Sequence, residues 1–288
     1  MFAILGILVV IGAVIGGYLM EHGHLEVLVQ PAELVIIGGA AFGTLLVANP
    51  LSTLKGVIAG LVRVLKGSPY TKATYLETLK MLNELFMQAR KQGLARLEED
   101  VENPEKSQVL SKYPKFLKNH HAVQFVCDTL RMAISGGVPA FDLDQMMEMD
   151  MEVHHHHAQQ PVMALSTVAD SLPGLGIVAA VLGVVITMGS LGGPPEEIGH
   201  KVAAALVGTF LGILMCYGFL GPLAANMSKL NDAESDYLRC LRMGVIAFVK
   251  GSAPILAVEF ARRSIPGEVR PSFKELEAAC RGGGGEKK

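Results

Sequence analysis

The sequence predicts an all-α, polytopic membrane protein with four transmembrane helices and a large helical cytoplasmic loop. Half of its 288 residues are apolar, Trp is absent, and the apolar residues gather in four long uncharged stretches. All but one of the 25 Lys and Arg residues lie within 51–166 and 224–288. Basic loops stay on the cytoplasmic side of a bilayer, so this asymmetry implies that both termini are inside. A net charge of -2 gives no case for nucleic acid. Four scattered cysteines without CxxC spacing imply neither a disulfide framework nor a zinc site.

Residues 1–50 hold the first two spans. Met1 to Met20 is uncharged and would reach about 30 Å as a helix, the thickness of a bilayer core. It lacks the basic flank of a secretory signal and is expected to remain as a span. Glu21 and Glu26 then mark an outside hairpin. Leu34 to Leu51 supplies the second span, with Pro31 and Glu33 at its outer end, where a carboxylate can reach headgroups and water. Lys55, Arg63 and Lys66 form the inner flank.

Residues 51–168 form the cytoplasmic region, with 13 basic and 13 acidic residues between Leu51 and Ser166. Tyr75, Leu79, Leu82 and Phe86 recur at helical spacing up to a stop at Gly93. A second arm through Leu94, Leu97 and Val101 ends at Asn103-Pro104, so Gly93 is the bend of a helical hairpin. Arg90, Lys91, Arg96, Glu98, Glu99 and Asp100 crowd that bend. Such charges usually form a solvated face of little energetic weight, and a mixed-sign tip can also steer a charged partner. His121 to Ile134 reads as a helix closed by Gly136-Gly137, and Asp142 to Val153 as a Met-rich helix. Successive histidines of His154 to His157 point 100° apart on a helix and cannot converge on one metal. The run reads as a spacer, with no metal or other cofactor expected.

Residues 169–228 hold the last two spans: Ser171 to Pro195 and Val202 to Ser228 contain no Asp, Glu, Lys, Arg or His. Pro173, Gly176, Ala180, Gly183, Thr187 and Ser190 share one helix face, and so do Val202, Ala205, Thr209, Gly212 and Cys216. Small stripes let helix backbones approach in lipid, and this packing role is the expected one for the glycines and alanines. The hydroxyls either bond their own backbone one turn back or line a hydrated ion route. A carboxylate relay here has to come from another chain. Pro173 and Pro222, near the inner ends of consecutive spans, each remove a backbone donor and suggest a hinge. Residues 229–288 are expected to form a cytoplasmic C-terminal helix and a basic tail, disordered from Gly282 onward. No GxxxxGK[ST], GxSxG or HExxH motif is present, so nucleotide hydrolysis, acyl chemistry and metalloprotease activity lack residues to carry them, and no enzyme is expected.

Longer strings carry a resemblance over nearly the whole chain. They are Gln30 to Gly39, Gly93 to Pro104, Ala169 to Gly183, Val207 to Leu214 and Tyr217 to Leu223. With them the chain resembles the MotA family of flagellar motor stator subunits. The resemblance implies a homopentamer in the bacterial inner membrane around a dimer of MotB, whose helix supplies a proton-binding aspartate. It implies that Arg90 and Glu98 engage the rotor switch protein FliG, and that Pro173 and Pro222 couple ion passage to movement. It also implies that Thr209 faces the MotB aspartate with Tyr217 nearby, so that with Ala180 and Thr187 of the third-span stripe these residues are the expected lining of the ion path. Sodium-driven relatives place a threonine where Ala180 stands, which favours protons here. The competing readings are an ExbB- or TolQ-like energiser of outer-membrane processes, with three spans, and a passive membrane scaffold.

Overall fold

A computed structural model describes residues 2–93, 96–189 and 192–281. The described residues are helical, in the order α1 (Phe2–Met20), α2 (Leu25–Leu28), α3 (Pro31–Ala48), α4 (Leu51–Lys66), α5 (Lys72–Gln92), α6 (Leu97–Glu102), α7 (Pro114–Leu117), α8 (His120–Ser135), α9 (Ala140–Met188), α10 (Pro195–Ile213), α11 (Gly221–Val249), α12 (Pro254–Ser264) and α13 (Phe273–Arg281). Four helical stretches are long and apolar enough to cross a membrane: Phe2–Met20, Leu25–Ala48, Ala140–Met188 and Pro195–Val249. The expected four spans are therefore present. The chain forms two compact units, 1–67 with 158–230 and 68–157 with 231–288, to both of which α9 and α11 contribute.

In the first unit α1 buries none of its residues and leaves Leu5, Leu8 and Val9 exposed, a surface suited to lipid. Pro31 occupies the first turn of α3, where its missing N–H costs nothing. The second span ends at Ala48, three residues before the expected limit, because Asn49 and Pro50 adopt extended backbone. Leu51 begins α4 instead. That helix buries Val57 and Val64 and exposes Lys55, Arg63 and Lys66, so it is amphipathic rather than a continuation of the span.

In the second unit the expected stripe of α5 forms the core, with Tyr75, Leu79, Leu82 and Phe86 all buried. Phe86 stacks on Phe248 with centroids 4.3 Å apart, and Thr78 Oγ1 meets Tyr237 Oη at 2.9 Å. Gly93 ends α5 with φ +87°, a conformation that favours glycine. Gly136 and Gly137, at φ +72° and +104°, close α8 as expected. The His154 to His157 run is a regular part of α9. Leu94, Ala95, Ser190 and the expected disordered tail from Gly282 lie outside the described residues.

Candidate functional site

The third and fourth spans meet along a seam nearly free of side chains. A Cβ added to Gly176 of α9 would fall 2.8 Å from the Gly208 carbonyl oxygen and 3.3 Å from the Cα atoms of Thr209 and Gly212. One added to Gly212 of α10 would lie 2.5 Å from the Leu172 carbonyl oxygen, and one on Gly183 would lie 2.7 Å from the Ala205 Cβ. The small stripes thus pack backbone on backbone, the contact that van der Waals attraction favours in lipid.

Glu33 joins this seam from α3. Sequence reasoning placed its carboxyl in reach of water, but the residue is only 7% exposed and Oε2 makes no hydrogen bond among the described residues. A Cβ on Gly208 would meet that oxygen at 2.5 Å, and one on Gly183 would meet Oε1 at 3.6 Å. Besides the carboxylate expected from another chain, an acid of this chain therefore borders these spans. Buried Glu33, Ile37 and Ala41 recur every four residues, so the signal was an apolar face of α3 with one acid on it.

The expected site residues fall in two groups. Thr187 is buried and donates to the Gly183 carbonyl oxygen at 2.8 Å, the backbone bond one turn back. Ala180, Thr209 and Pro173 are half-buried on α9 and α10. Pro173 directly follows Leu172, whose carbonyl abuts Gly212. Tyr217 is 72% exposed and sits in a wide turn, Leu214–Leu220, where the helix takes π form and Gly221 N–H donates to the Cys216 carbonyl oxygen five residues back. Pro222 follows at once. Its ring would crowd the carbonyl four residues earlier in a regular helix, and the wider turn relieves this. A cavity of about 320 Å³ brings Tyr217 and Pro222 together with Gly6, Val10 and Asn226. The π turn has no side-chain period and was invisible to sequence reasoning.

Arg90 and Glu98, in the second unit, are both exposed on either side of the Gly93 bend, at the end of α5 and in the first turn of α6. The rest of the bend is not a uniform solvated face. Arg96 pairs with Glu99. Asp100 points inward, 1% exposed, and accepts hydrogen bonds from Ser107 Oγ at 2.5 Å and Gln88 Nε2 at 3.0 Å. A buried carboxylate with two donors fixes the second arm against the domain.

This arrangement is that of a multi-pass helical membrane protein with a glycine-lined seam between two of its spans. Residues 4–93 match the family described as motility protein A N-terminal, and residues 118–239 match the MotA/TolQ/ExbB proton channel family. Motility protein A of Salmonella typhimurium is 42% identical over 98% of this chain and 95% of its own length. That of Escherichia coli is 43% identical over the same shares. The chain therefore belongs to the motility protein A family, a family of proton channels and not of enzymes. The fold is also that of solved relatives. The structure of C. jejuni MotAB matches with a TM-score of 0.78 at 18% identity, covering 94% of this chain and 98% of that one. The flagellar MotAB stator complex of Bacillus subtilis matches at 0.72 and 24% identity, covering 89% and 92%.

Proposed function

We propose that this chain is the torque-generating stator subunit of a proton-driven flagellar motor, five copies surrounding a dimer of a MotB-type partner in the bacterial inner membrane. The observation that carries this reading is the 42% identity to motility protein A across nearly the full length of both chains. Both termini and the second unit face the cytoplasm, following the basic residues.

The partner's aspartate takes up a proton from outside, and the seam of α9 and α10, with Ala180, Thr187, Thr209 and Tyr217, forms the wall along which it is neutralised and released inward. Each charge crossing the membrane releases about 2.3 kcal/mol per 100 mV, enough to bias a stepwise rearrangement. Pro173 and Pro222 are where the backbone gives. Both lack the N–H that would stiffen a regular helix. The step carries the exposed Arg90 and Glu98 past the rotor switch protein FliG, where opposite charges set register more than affinity. Ala180 offers no oxygen to a dehydrated sodium ion, so protons are the fuel.

The test is complementation of a non-motile strain that lacks this subunit but keeps its partner. Restored swimming, abolished by a protonophore and insensitive to sodium removal, is the expected result. Arg90→Glu or Glu98→Lys should impair torque while the partner still co-purifies. Normal swimming of the double variant would overturn the assignment of the two charges.

A further inference from the structure

The histidine run has a structural partner far away in sequence. His154, on α9, stacks face to face on His121, near the start of α8, with centroids 3.7 Å apart and planes 14° from parallel. Nδ1 of His121 and Nε2 of His154 are buried without a hydrogen bond among the described residues. The charged groups facing the pair are Asp150 on α9, its Oδ1 3.8 Å from His121 Nε2, and Glu234 on α11, its Oε1 3.4 Å from His154 Nε2. From α8 itself the neighbour is the Phe125 ring. His155 is tied separately, Nδ1 to Ser235 Oγ at 2.9 Å. Three helices thus converge on two imidazoles.

We propose that the His121–His154 stack is a proton-sensitive latch: neutral, it clamps α8 onto α9 and α11, and acidification of the surrounding compartment opens it. Two rings this close repel each other if both are charged, and the undocked helix has no such restriction. Burial first, and then the neighbouring His154, hold the His121 imidazole below its ordinary range, while Asp150 and Glu234 oppose that shift only in part. The sign follows directly. A histidine whose docked form resists protons loses docking stability as pH falls, because the undocked form binds more of them. The consequence reaches the charged bend, because α8 carries α6. Arg131 of α8 donates through Nη2 to the Val101 carbonyl oxygen of α6 at 3.2 Å. Opening the latch therefore loosens the support of Glu98. The proposal rests on the stator reading only for which compartment supplies the protons and what the loosened bend touches.

Hydrogen exchange on the full chain, purified with its partner, tests the latch without any motility readout. Amide exchange in 120–135, corrected for the intrinsic pH dependence of the chemistry, should rise at least about threefold between about pH 7.5 and about pH 5.5, the range in which imidazoles titrate. His121→Phe keeps a flat ring for stacking and should abolish that rise, and His154→Phe should do the same if the first variant assembles poorly. Glu234→Gln removes a group that favours the charged ring and should enlarge the rise. A wild-type chain whose α8 exchange ignores pH, or Phe variants that rise as much as wild type, would overturn the proposal. Failed complementation with a normal exchange response would instead count against the stator reading alone.

Discussion

Gly212 shows how little slack the membrane seam has. The atoms that a side chain there would strike, the Leu172 carbonyl oxygen and the Gly176 Cα, belong to backbone and cannot rotate away. Gly212→Ala should destabilise the chain by about 1–3 kcal/mol, the range for overpacking a filled site. Gly174 is the internal control, since nothing lies within 4 Å of its would-be Cβ. Gly174→Ala should leave thermal stability unchanged or slightly raised, as alanine is the better helix former. A different residue-scale test concerns acid. Glu259 is held down at about 2, chiefly by its hydrogen bonds from Arg262 and then from Arg263. Its contribution to stability is present above the ordinary carboxylate range and is lost as pH falls from about 4.5 toward 2. Exchange protection of α12 followed across that window should fall in wild type and stay flatter in Glu259→Gln.

Among the elements, α9 and the π turn invite the clearest perturbations. Pro173→Ala restores a backbone donor within α9, and Pro222→Ala removes the ring that the wide turn accommodates. Both variants should insert and assemble yet lose swimming. A variant absent from the membrane fraction would assign that proline to folding instead. Elements defined by their own periodicity were legible: α5 by its stripe, α8 by the glycines that close it, and the four spans by length and charge. Features made by partners distant in sequence were not. His154 meets a ring 33 residues earlier, and no local pattern announces it. Asp100 looked like one more surface charge until Ser107 and Gln88 closed on it. Glu33 was half-legible, because its spacing to Ile37 and Ala41 gave the face while its position near a helix start suggested water.

At the scale of the whole molecule, the seam provides hydroxyls and bare backbone, and the acid packed into it among the described residues, Glu33, comes from the second span. Vesicles containing this chain with its partner should take up protons, and vesicles containing the chain alone should not. A Glu33→Gln form of the complex separates two roles for the buried carboxyl: unchanged uptake assigns it to packing, and reduced uptake assigns it to the path. The thiols offer a practical route to the topology. Cys127, Cys216 and Cys240 are buried, and burial pushes the Cys127 thiol up to about 12. Maleimides attack thiolates, so these sites should stay silent at neutral pH in the folded chain. Only Cys280 is partly exposed. Replacing that one residue turns the native protein into a dark background, on which single reporters at Glu21 or Gly199 would light up from one face of the cell envelope only.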